Sequence, residues 1–146
     1  MRKKEKTVGW LIILEMLWAF EDCRRGKIKR IYLWLGFAAG LLAAAGAWKQ
    51  GDRSAYGMVA SLAPGALLLG WSLLKEGQIG RADGYMVAII GLFVGWERCI
   101  FLLAAACLMA AGYGMIGIWG RRLTKGSKLY FAPFLLAASL GLWIVS

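Results

Sequence analysis

Gly80-Arg81-Ala82-Asp83-Gly84-Tyr85-Met86-Val87-Ala88-Ile89-Ile90-Gly91-Leu92-Phe93-Val94-Gly95-Trp96 sets one carboxylate at the mouth of a long apolar run. A carboxylate there is costly to desolvate, so its default reading is functional. Similar apolar blocks recur on both sides of it: Val8–Phe20, Ile31–Trp48, Ala55–Leu74, Gly84–Trp96, Cys99–Trp119 and Tyr130–Val145. A membrane helix needs about 20 residues. The second, third and fifth blocks reach that length. The others must borrow flanking residues, tilt, or thin the bilayer. The reading is an all-α, polytopic membrane protein, a bundle of six transmembrane helices. It leaves almost no sequence for a soluble part, so residues 1–146 form one domain.

Composition agrees. The chain is 60% hydrophobic with a mean hydropathy of +0.61, against about 45–50% apolar residues in soluble domains. The net charge of +10 would suggest nucleic acid in a soluble protein. Here Lys and Arg sit in the loops and at the N-terminus, where they meet anionic headgroups. Anionic membrane lipids are expected partners and nucleic acid is not. The first block resembles a signal peptide in outline, but bulky, charged Phe20-Glu21-Asp22-Cys23-Arg24 follows it in place of a small-residue cleavage site. It is expected to stay as a mature helix.

The chain has no histidine, and Cys23, Cys99 and Cys107 form no CxxC pair, so neither a metal site nor a cofactor is expected. Cys99 and Cys107 fall in an apolar block, where cysteine behaves as a small hydrophobe.

A second acid matches Asp83. Asp22 stands at the end of the first block. By loop parity the two lie on one face of the membrane. Loops on that face carry Arg24, Arg25, Lys27, Lys29, Arg30, Lys75, Arg81, Arg121, Arg122, Lys125 and Lys128, eleven cations. The other face has seven: Arg2, Lys3, Lys4, Lys6, Lys49, Arg53 and Arg98. The positive-inside rule makes the face with the acids cytoplasmic, although the N-terminal cluster pulls the other way.

Helix packing should bear on the site. Gly84, Ala88, Gly91 and Gly95 are spaced as one face of a helix, a stripe that permits close backbone approach. It is expected to draw the helix of Asp83 against that of Asp22. Gly36 and Gly40 form a weaker example. Pro64 should kink the third helix. Pro133 falls near the start of the sixth, where proline is tolerated.

The residues resemble the type IV prepilin peptidase family in its short form. Three stretches carry the resemblance. The first runs from Glu21-Asp22-Cys23-Arg24-Arg25 to Ile31-Tyr32-Leu33 and is similar to an Asp-basic stretch leading through Ile-Pro-Asn into a helix. The second is Gly80-Arg81-Ala82-Asp83-Gly84, similar to Gly-x-Gly-Asp, with Gly91 and Gly95 after it. The third is Tyr130-Phe131-Ala132-Pro133-Phe134-Leu135. The chain departs from the pattern at Lys29, Arg30, Ala82 and Tyr85.

The resemblance implies an aspartic endopeptidase of the bacterial cytoplasmic membrane with Asp22 and Asp83 as the catalytic pair. It implies cleavage of the basic leader of a prepilin or pilin-like protein at the cytoplasmic face. Long family members insert a cysteine-rich region with N-methyltransferase activity. About ten residues separate the first two helices here, so that activity is not expected. The alternative is a non-enzymatic scaffold or a small ion- or proton-coupled transporter. Such a transporter would keep its polar groups near the midplane, where only Glu15 qualifies.

Overall fold

The computed structural model of the chain describes residues 2–25, 28–75, 81–121 and 131–145. They form six helices: α1 (Arg2–Arg25), α2 (Arg30–Lys49), α3 (Ala55–Leu74), α4 (Arg81–Val94), α5 (Trp96–Trp119) and α6 (Ala132–Val145). Of these, α2, α3 and α5 are long and apolar enough to cross a membrane, and α6 is a shorter apolar helix.

Many large apolar side chains point outward, as lipid-facing helices require. The aromatic ones mark two levels. Trp34, Trp71, Tyr85 and Trp119 are exposed at one end of the bundle; Trp10, Trp48, Tyr56 and Trp96 are exposed at the other. On α2, α3 and α5 these residues lie about 21–35 Å apart along the axis, at 1.5 Å per residue. That brackets a hydrocarbon core of about 30 Å, as interfacial aromatic belts do.

Helix α4 is the centre of the bundle. It is only 14 residues long, yet Met86, Val87, Ile89, Ile90, Leu92 and Phe93 are all buried. It contacts α3 most extensively, then α2, α5 and α1. Between lipid-embedded helices there is little hydrophobic drive, so close packing must hold them.

The expected small-residue stripe supplies that packing, but against α3 and not against α1. A Cβ on Gly84 would meet Leu69 at 2.7 Å, and one on Gly65 would meet the Ala88 backbone at 2.6 Å. One on Gly91 would collide with the Ser61 carbonyl oxygen. The pairs 69/84, 65/88 and 61/91 run antiparallel. Helix α2 packs on the other side: a Cβ on Gly40 would sit 3.2 Å from Leu92, and one on Gly36 would sit 2.7 Å from the Trp18 ring of α1. Both α2 glycines are therefore notches for larger side chains.

Other expectations change. Gly95 is not on the stripe. It follows α4, has φ +91°, and is the residue before α5. A positive φ suits glycine because it has no Cβ to clash. Helix α1 extends past its apolar block at both ends, so Asp22 lies within its last helical turns.

Two polar clasps fix the helices along their axes. Arg53, in the α2–α3 connection, donates from Nη1 to the Leu92 carbonyl and from Nη2 to the Phe93 carbonyl, both at 2.8 Å. The last carbonyls of a helix lack intrahelical donors, and one guanidinium satisfies two of them at the end of α4. The second clasp joins α1 to α6. Glu15 is 2% exposed, and its Oε1 accepts a hydrogen bond from Ser139 Oγ at 2.8 Å. Ser139→Ala would leave a buried carboxyl without this partner. We expect a loss of about 1–3 kcal/mol, read as a lower thermal unfolding midpoint in detergent; an unchanged midpoint would remove the clasp from the account.

Candidate active site

The site follows from which helix ends meet. Arg53, next to the start of α3, reaches the C-terminus of α4. The N-terminus of α4 therefore lies at the opposite end of the bundle, where α3 ends. Short connections put the end of α1 beside the start of α2, at that same end. Asp22 and Asp83 thus share one end, close to the aromatic level formed by Trp34, Trp71, Tyr85 and Trp119. Their helices, α1 and α4, are in contact.

Asp22 is half-buried, and its carboxylate accepts a hydrogen bond from the backbone N–H of Ala132. Ala132 is the first residue of α6. Its N–H is one of the donors that a helix start leaves without an intrahelical partner, and a carboxylate suits the positive end of the helix dipole. Asp22 thus caps α6 from another helix. Burial raises its carboxyl above the usual aspartate value, and the Ala132 hydrogen bond partly opposes that shift.

The cap and the Glu15–Ser139 clasp share one register. Asp22 and Glu15 lie seven residues apart on α1, as Ala132 and Ser139 do on α6. Seven residues is close to two full helical turns, so both contacts fall along a single antiparallel seam. Among the described residues Arg25 forms no ion pair with Asp22. Arg25 instead approaches Glu21, one turn earlier, at 4.0 Å.

Asp83 is the acidic residue of the first turn of α4 and is half-buried. It falls inside that turn. Its carboxylate faces the same favourable dipole. Gly84 follows it and is buried against α3, so a side chain there would push the acid-bearing turn outward. Ala82 is half-buried beside it. Gly80 lies outside the described residues, as do Lys125, Lys128 and Tyr130.

Several contributors were not legible in the chain. The cap from Ala132 joins residues far apart in sequence, and its donor is a backbone group. The third motif stretch did place this segment at the start of the sixth helix. Arg53 reads in sequence as one loop cation among many. Glu15 was singled out, but its Ser139 partner was not. Held in that clasp, Glu15 is an interhelical contact between α1 and α6.

Among the described residues no group of three or more His, Cys, Asp or Glu could hold a metal. Two half-buried carboxyls at one bundle end can do general acid–base chemistry on water and a peptide carbonyl.

The sequence model of the type IV leader peptidase family matches residues 8–115. The match takes in both acids and helices α2, α3 and α4, and ends within α5. The α6 stretch around Pro133 lies beyond it. No curated protein matches the chain, and no solved structure matches it.

Proposed function

The chain belongs to the type IV leader peptidase family, and on that premise we propose that it is an aspartic endopeptidase with Asp22 and Asp83 as its catalytic pair. One carboxylate takes a proton from water; the other, protonated, hydrogen-bonds the scissile carbonyl. Like charges sharing a site push the two pKa values apart, and the pair titrates as a unit. The observation that carries this reading is the placement of both acids at one bundle end, on contacting helices, at the level of an aromatic belt. A leader junction just outside an apolar helix would reach that level while its helix lies among the spans.

The substrate class is a prepilin or pilin-like protein with a short basic leader before an apolar helix. Cleavage takes place at the cytoplasmic face of a bacterial plasma membrane, by water and without a metal or cofactor. N-methylation is not part of the activity.

Co-expression with pilin-like proteins from the same genome, scored by the mass of the processed product, tests this reading. Removal of the leader at its junction is the expected result. Uncleaved precursors throughout, with the enzyme correctly inserted, would count against it. A companion measurement tests the two-acid chemistry. Processing in membranes washed with EDTA should match the untreated rate, and a rate lost in EDTA and restored by zinc would contradict the mechanism.

A further inference from the structure

The end of the bundle away from the two acids holds a cavity of about 710 Å³. It is formed by the early turns of α1, the end of α2, the α2–α3 connection and the corner between α4 and α5. Its charged lining is Lys6, Arg53 and Arg98 against Asp52 and Glu97. Cations outnumber acids, and two of them oppose each other. The Arg53 guanidinium is held below its ordinary value first by burial and then by the like charge of Arg98, with Asp52 acting the other way.

Arg53 gives two donors to the carbonyls of α4, and a guanidinium has five. That leaves three donors beyond the two on the α4 carbonyls. Arg98 is exposed and makes no ion pair among the described residues. It lies in the first turn of α5, whose start has no side-chain cap. Uncapped N–H groups and the positive helix end add to the attraction for an anion.

The cavity sits at the aromatic level of Trp10, Trp48, Tyr56 and Trp96, which is headgroup depth. Leu42 lines it and is 76% exposed, so one wall opens toward the hydrocarbon. A soluble anion would not need that apolar wall; a phospholipid would lay an acyl chain along it.

We propose that this cavity binds the headgroup phosphate of an anionic phospholipid, held by Arg53, Arg98 and Lys6. The bound phosphate relieves the repulsion between the two guanidiniums. Because Arg53 also holds the C-terminus of α4, occupancy steadies the helix that carries Asp83 at its other end. The site stands independently of the peptidase reading.

The test follows thermal unfolding of the detergent-purified full chain during titration with phosphatidylglycerol, phosphatidylcholine or inorganic phosphate. Phosphatidylglycerol should raise the midpoint, while phosphatidylcholine and inorganic phosphate at matched concentrations should not. Arg98→Gln should weaken the phosphatidylglycerol response about fivefold, the effect of one basic residue at a lipid surface. Lys6→Gln provides a second test should Arg98→Gln fail to fold, and Arg121→Gln, at the other end of the bundle, should leave the response unchanged. Equal responses to the two lipids would overturn the proposal, as would full phosphatidylglycerol affinity in both Arg98→Gln and Lys6→Gln. A midpoint raised equally by inorganic phosphate would overturn the lipid assignment.

Discussion

Asp22→Asn and Asp83→Asn are each expected to abolish leader processing while leaving expression and membrane insertion normal. An amide has nearly the shape of the carboxyl but cannot act as base or supply the acid proton. General acid–base catalysis contributes about 10²–10⁴-fold, so each single variant should lose at least that much. The double variant should be little worse, because the acids act as a unit. Asp22→Asn needs one control, since Asp22 also caps α6 through Ala132. Its amide oxygen can still accept that hydrogen bond, so the thermal midpoint should move little. Substantial processing by either variant would remove that residue from the catalytic pair.

Gly91→Leu carries the second large effect. A Cβ at Gly91 already collides with the Ser61 carbonyl oxygen, which belongs to backbone and cannot swing away. The substitution must force α4 and α3 apart. A displacement of about 1 Å at a catalytic group can cost roughly 100-fold in rate, and Asp83 lies on the displaced helix. Gly70→Leu is the matched control. It adds the same side chain to α3, where a Cβ meets nothing within 4 Å, and should process substrate at the wild-type rate. Leu92→Ala cannot serve as that control, because Leu92 is 1% exposed and packs against Gly40. Equal rates for Gly91→Leu and Gly70→Leu would break the link between helix packing and acid geometry.

The helices were legible because lipid imposes a strong rule: a spanning segment must be long, apolar and internally hydrogen-bonded. The third block matched α3 residue for residue, Ala55–Leu74. The ends of α1 were missed because its charged flanks stay helical once they leave the hydrocarbon, and hydropathy does not register them. Asp22 therefore read as standing at the end of the first helix, whereas α1 continues past it to Arg25. The stripe on α4 was visible from its spacing, but spacing does not say which neighbour it meets. That choice depends on the opposing notches, Gly65 above all, and on where Arg53 anchors α4. Gly95 looked like one more stripe residue because its period fits; its positive φ is a property of the corner between two helices.

The candidate site was legible in its two acids and not in their supports. Asp22 and Asp83 stood out because acids at the ends of apolar runs are expensive. The groups that hold them are a backbone N–H of Ala132, the Leu69 and Ser61 surfaces of α3, and the Arg53 clasp. None has a local signature, since each contact joins segments far apart in the chain.

Catalysis by Asp22 and Asp83 as a pair requires that they share one site. The most direct measurement of that requirement is thiol cross-linking of Asp22→Cys with Asp83→Cys in membranes, after Cys23, Cys99 and Cys107 are replaced by serine or alanine. A short bis-thiol reagent should join the pair efficiently, and should not join Asp22→Cys to a cysteine placed at Val94, at the far end of α4. Efficient linking to position 94 with none to position 83 would contradict the account.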